Sequence, residues 1–158
     1  MDESKTNIVI REAKVADMRL FFEWANDPVV RQMAFHSEPI PWDNHVVWFR
    51  RKLDSNAALL LLGYHGGRPV GQVRFDITND GSAEIDISVD KEFRGKGLGK
   101  LMLVSAIEYA SKKMNVSEFI SEVKEENLSS QRLFMSAGFV HINTIDGVCF
   151  FKKIRNRY

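Results

Sequence analysis

The chain has 158 residues, 44% of them hydrophobic and 27% charged, with a net charge of +1; this is the profile of one globular domain, residues 1–158, able to bury a core without disulfides or metals. Near-neutral charge excludes a global attraction to nucleic acid or to an anionic membrane, and the single Cys149 excludes an internal disulfide and a thiolate metal site. The polar N-terminal residues and the short longest apolar run, Ala57 to Leu62, predict a cytoplasmic protein without a signal peptide or a membrane span.

Residues 7–12 read as a first strand. Met18, Phe21, Phe22 and Ala25 recur at helical spacing and predict an amphipathic helix over Asp17–Asn26. Asn26-Asp27-Pro28 breaks that helix and starts a short second one over Val29–Ala34, with Pro28 at a first helical position. A third helix is expected over Trp42–Leu53. Ala57 to Leu62 is uninterrupted apolar sequence, as in a strand buried on both faces. Gly66-Gly67 turns it into Val70–Ile77, and Asn79-Asp80-Gly81-Ser82 turns that into Ala83–Val89, both with strict alternation. A largely apolar helix follows over Leu98–Lys113. Phe119–Val123 returns as a strand parallel to Ala83–Val89 through a right-handed crossover. A shorter helix over Asn127–Ala137 stops at Gly138, and Phe139–Asn143 with Val148–Lys152 closes the chain as a hairpin. The fold class is α+β, a mixed and mostly antiparallel seven-stranded sheet with one parallel pair and helices on its faces.

Between the second alternating strand and the long helix lies Val89-Asp90-Lys91-Glu92-Phe93-Arg94-Gly95-Lys96-Gly97-Leu98-Gly99-Lys100. Glycines at 95, 97 and 99 leave backbone N–H groups bare, and the helix start adds unpaired N–H groups and the positive end of its dipole. This is a seat for a phosphate-bearing ligand. The spacing fits neither a dinucleotide fingerprint, whose third glycine would come one residue later, nor a Walker loop, which needs Gly-Lys-Ser/Thr.

Arg94, Gly97 and Gly99 do match Gln/Arg-x-x-Gly-x-Gly/Ala, and here the sequence resembles the GNAT family of N-acetyltransferases. A second segment, Asn127 to Phe139, resembles that family's Asn-x-x-Ala/Ser pattern ending in Gly-Phe, with Ser130 at the small position. The resemblance covers residues 7–153. It implies acetyl-CoA as cosubstrate without a metal, and direct acetyl transfer to a primary amine. It implies that Ile87, Ser88 and Val89 bind the pantetheine arm and polarise the thioester, that Arg94, Gly95, Lys96, Gly97, Leu98, Gly99 and Lys100 take the pyrophosphate, and that Asn127 meets the pantetheine or amide region.

Many family members carry a tyrosine where this chain has Phe134, which cannot protonate a leaving thiolate; Ser130 is the expected replacement. Glu84 is the expected general base, on the strand leading to the loop. The segment Trp24–Leu53 should meet the acceptor. It resembles the opening of pseudaminic-acid-pathway enzymes that acetylate nucleotide-linked amino sugars, with Ala25 where an arginine is expected. Arg31, His45, Trp48 and Arg74 are the expected acceptor-binding residues, with Trp42, Phe35, Phe49 and His36 as further candidates. A polyamine site calls for carboxylates, whereas this segment mixes Asp27, Glu38 and Asp43 with bases and aromatics. A protein N-terminus, a polyamine or an antibiotic amine is the alternative acceptor; a non-catalytic acyl-CoA-binding domain is the alternative from another class. The expected assembly is a monomer or homodimer, with no nucleic-acid partner.

Overall fold

The structure, a computed structural model, describes residues 7–156. Seven strands, β1 Val9–Glu12, β2 Ala58–His65, β3 Arg68–Ile77, β4 Ser82–Val89, β5 Glu118–Lys124, β6 Val140–Ile145 and β7 Val148–Ile154, form one sheet in the order β1-β2-β3-β4-β5-β7-β6. Every pair is antiparallel except β4 with β5. The helices are α1 Met18–Ala25, α2 Pro28–Met33, α3 Trp42–Asp54, α4 Leu98–Lys113 and α5 Leu128–Ser136. The expected fold class holds. Element ends move by one to three residues, β2 running on to His65, and α2 begins at Pro28 because Asp27 accepts from the N–H groups of Val29 and Val30.

The leucine run of β2 explains the layering. Leu59 and Leu61 face the layer made by α4, packing with Met102, Leu103, Ala106 and Ala110, while Leu60 and Leu62 face α1 and α3, packing with Met18, Phe21, Trp24 and Phe49. Alternate residues of one strand thus feed two cores, which is why no polar residue interrupts the run. Full burial of each leucine contributes about 1.5–3 kcal/mol.

Two features aim the glycine loop. Gly63 and Gly71 stand opposite each other across β2 and β3, and the fully buried Met102 of α4 fills the notch they leave. That close approach draws α4 onto the sheet, with its N-terminus at the end of β4. The second feature is the brevity of the parallel ladder. β4 and β5 pair only over Ser82–Glu84 and Glu118–Ile120; beyond it Ile85–Val89 and Ser121–Lys124 run on without pairing to each other. The sheet is open along its middle.

Candidate active site

A cavity of about 950 Å³ occupies that opening, reaching from the glycine loop past the parted strands to α1, α2 and α3. Its size lies at the upper end of small-ligand pockets, about 300–1,000 Å³. At one end, Gly95 and Gly97 adopt left-handed backbone conformations, φ +74° and +76°, with open space where a side chain would stand. Gly97 is the N-cap of α4 and supplies no capping side chain, so the first N–H groups of the helix are left for a ligand. This cradle fits a pyrophosphate.

Ile87, Ser88 and Val89 line the cavity, as do Arg94, Gly95, Gly97, Leu98, Gly99 and Lys100. Lys96 does not; its ammonium lies 5.6 Å from the Phe93 ring centroid. Arg94 is engaged on both sides, with Nε donating to the Val89 carbonyl at 3.0 Å and Nη2 to Asp27 Oδ1 at 3.0 Å. Across the gap, Asn127 caps α5 by accepting from the Ser130 N–H and donates through Nδ2 to Ser130 Oγ at 3.1 Å. Ser130 therefore accepts from Asn127 and keeps its own proton for another partner. Phe134 is buried among Phe139 and Phe151.

Residues 7–140 match the family described as the Acetyltransferase (GNAT) domain. The chain belongs to the GNAT family. This GNAT enzyme is an acetyl-CoA-dependent N-acetyltransferase. No curated protein sequence matches it. Among solved structures it is similar to a spermidine N-acetyltransferase from Vibrio cholerae in complex with CoA and spermine, at 21% identity and a TM-score of 0.82 over 94% of this chain and 95% of that one. It is similar to the aminoglycoside acetyltransferase AAC(6')-Ib in complex with ribostamycin and coenzyme A, at 18% identity and a TM-score of 0.82 over 94% of each chain. A domain from Methanocaldococcus jannaschii DSM 2661 aligns at 21% identity and a TM-score of 0.79, over 94% of this chain and 98% of that one. These likenesses concern the fold.

The half of the cavity beside α1, α2 and α3, where the acceptor was expected, differs from expectation in its charged groups. Arg31 lines it, yet Nε donates to the Ala25 carbonyl at 2.6 Å and Nη1 to the His36 carbonyl at 2.8 Å. Its guanidinium braces the loop after α2. His45 is 2% exposed, and its Nε2 pairs with the Met18 carbonyl at 2.8 Å. Burial pushes its pKa down and the Met18 bond only partly offsets this, so the ring stays neutral and is no ready partner for a diphosphate. Trp42 and Phe49 are absent from the wall. Phe49 is fully buried, and Trp42 meets Phe22 edge-on. Trp48 and Phe35 do line the cavity. Arg74 stacks on Trp48 at 5.2 Å and donates from Nε to Asp76 at 2.9 Å.

The carboxylates come from the sheet instead of the 24–53 segment. Gln72, Arg74 and Asp76 of β3 stand opposite Ser88, Asp86 and Glu84 of β4 on this face. Asp86 and Glu122 line the cavity, whereas Glu84, where the base was expected, lies just behind its wall. Extending the parallel register past Glu84 and Ile120 sets Asp86 against Glu122 across the gap. The sequence reading missed Glu122, although strand alternation from that parallel pairing points to it. Burial, then repulsion from Glu122 and Asp76, pushes the Glu84 carboxyl above its ordinary range despite the attraction of Arg74.

Proposed function

We propose that the enzyme transfers acetyl from acetyl-CoA directly to the primary amine of a small cationic acceptor, of the polyamine or amino-sugar antibiotic type. The observation that carries this reading is the pair Asp86 and Glu122 at the parted strands, where Asp86 accepts from Gln72 and lies 3.9 Å from Arg74 but stays half exposed, combined with the prior engagement of Arg31 and His45. Two carboxylates on opposite sides of a cleft attract an ammonium and disfavour a diphosphate. The apolar wall of Val29, Val30, Met33 and Ile40 takes the body of the acceptor.

Acetyl-CoA supplies the acetyl thioester. Backbone groups of Ile87 to Val89 orient it, and the N–H groups at Gly95 to Lys100 hold its pyrophosphate. Asp86 and Glu122 receive the ammonium. Glu84, poised above an ordinary carboxylate but set behind the wall, takes by way of Asp86 or a water the proton that must leave before the nitrogen can attack. The hydroxyl of Ser130, set by Asn127, donates toward the departing sulfur. Because a thiol of pKa about 8.5 leaves with little help, Ser130→Ala should lower kcat only about three- to tenfold. Its Kd for CoA, measured by calorimetry, should stay within about twofold, since Asn127 still caps α5.

A nucleotide-linked amino sugar is the second reading, favoured by the Arg74–Trp48 stack beside the cavity, which offers a charged edge and an aromatic face. The experiment that separates the two is CoA-thiol release from acetyl-CoA with spermidine, kanamycin, UDP- and dTDP-linked amino sugars and N-terminal peptides. Turnover on spermidine or kanamycin is the expected result. Turnover confined to the nucleotide sugars or to the peptides would overturn the cationic-acceptor reading, and CoA binding without turnover on any amine would favour a binding domain.

A further inference from the structure

Two cross-links join the cofactor loop to the acceptor wall. Trp24 Nε1 donates to Asp90 Oδ2 at 2.8 Å, and Arg94 Nη2 donates to Asp27 Oδ1 at 3.0 Å. The same Asp27 oxygen accepts from the N–H groups of Val29 and Val30 and so starts α2. Burial pushes the Asp27 carboxyl up, but the bonds from Arg94 and from the α2 backbone outweigh it and hold the group below the usual carboxylate range. α2 carries Val29, Val30 and Met33 into the cavity, and through Arg31 it braces the loop that follows.

Arg94 itself lines the cavity beside the glycine cradle. It therefore stands between two anions, the Asp27 carboxylate and a pyrophosphate in the cradle. A guanidinium has five N–H donors, of which Arg94 directs one to Val89 and one to Asp27. A pyrophosphate that draws on the rest pulls the side chain toward the loop and loosens its hold on α2. By linkage, whatever fixes α2 alters the grip on the pyrophosphate by the same factor.

We propose that Asp27 is a positioning residue which, through Arg94, couples occupancy of the CoA site to the placement of α2 and hence to acceptor binding. The proposal rests on the cradle being the CoA pyrophosphate site. Asp27→Asn tests it, because asparagine caps a helix as well as aspartate but carries no charge; Asp27→Ser is a second variant of the same kind should the first fold poorly.

Using CoA alone as the probe, calorimetry should show the variant binding CoA about three- to tenfold more tightly, since Arg94 is no longer neutralised. In hydrogen exchange, CoA should alter the protection of residues 28–40 in the wild-type protein and leave it unaltered in the variant. Unchanged or weaker CoA binding in both variants, with the exchange response retained, overturns the coupling. A wild-type protein that fails to bind CoA overturns the cofactor assignment itself, and the coupling with it.

Discussion

Gly71→Ala is expected to unfold the enzyme roughly 6–12 °C below the wild type, from about 3 kcal/mol of overpacking in a domain of this size. It should also raise the KM for acetyl-CoA about tenfold or more. A Cβ at position 71 would run into the backbone carbonyl of Ser88, come within 2.8 Å of Met102 Cε and stand 3.1 Å from Val89 Cα. Met102 can give way by rotating; the β4 backbone cannot without shifting Ser88 and Val89, which line the cavity. Gly63→Ala is the matched control. Its added Cβ would meet Met102 Sδ at 2.7 Å, Met102 Cγ at 2.9 Å and Ile8 Cγ2 at 3.5 Å, so that its nearest neighbours are all side-chain atoms. It should cost about 1 kcal/mol and leave the KM for acetyl-CoA unchanged. Thermal melts and initial rates on the two variants check both halves. Equal effects from both would mean that the notch serves stability alone.

The second large effect is expected at the parted strands. The double variant Asp86→Asn/Glu122→Gln should lose roughly a hundredfold or more in kcat/KM for a cationic amine, with CoA affinity within about twofold. Glu84 adds a pH signature. Its carboxyl is held above the ordinary range by burial and then by Glu122, so kcat/KM should rise with pH through that elevated value. Glu122→Gln removes one of the repelling charges and should move the acid limb to lower pH. Glu84→Gln should abolish that limb. The stability sign runs the other way. A carboxyl whose folded pKa is raised adds stability that is fully present below its unfolded pKa and is lost as pH rises through the folded value. At neutral pH the ionised Glu84 is thus a burden, and Glu84→Gln should melt about one or two degrees higher, a gain that disappears near pH 4. An unchanged acid limb in Glu84→Gln would remove this residue from the proton path.

Most of the fold was legible because local signals agreed with one another. The leucine run, the two alternating strands and the glycine turns between them placed β2 to β4, and the Gly97–Leu98 junction placed the start of α4. The glycine loop and the Asn127 cap were legible for the same reason, since they are made largely of backbone and local sequence. The side chain of Lys96 turns away to the Phe93 face, so only its backbone N–H is available to the loop. The acceptor end was not legible, because it depends on which partner each charge finds. Nothing local to Arg31 says that it will hold the carbonyls of Ala25 and His36, or local to His45 that it will be enclosed under Met18. Likewise Glu122 gains its place only once β5 lies beside β4, far away in sequence.

The brevity of the β4–β5 ladder has a further consequence for the protein without ligand. Where these strands part, the middle of the sheet exposes two inner margins of the kind normally found only at its outside, where they invite pairing with foreign chains. An amide-bearing ligand lying against Ile87 to Val89 acts as a short borrowed strand and closes that margin. A cosubstrate seated there would stand in for a piece of the sheet, and the ligand-free enzyme is expected to be the form more prone to self-association. Its solubility on storage should therefore follow the concentration of CoA, through the mass-action stabilisation that any native-state ligand confers.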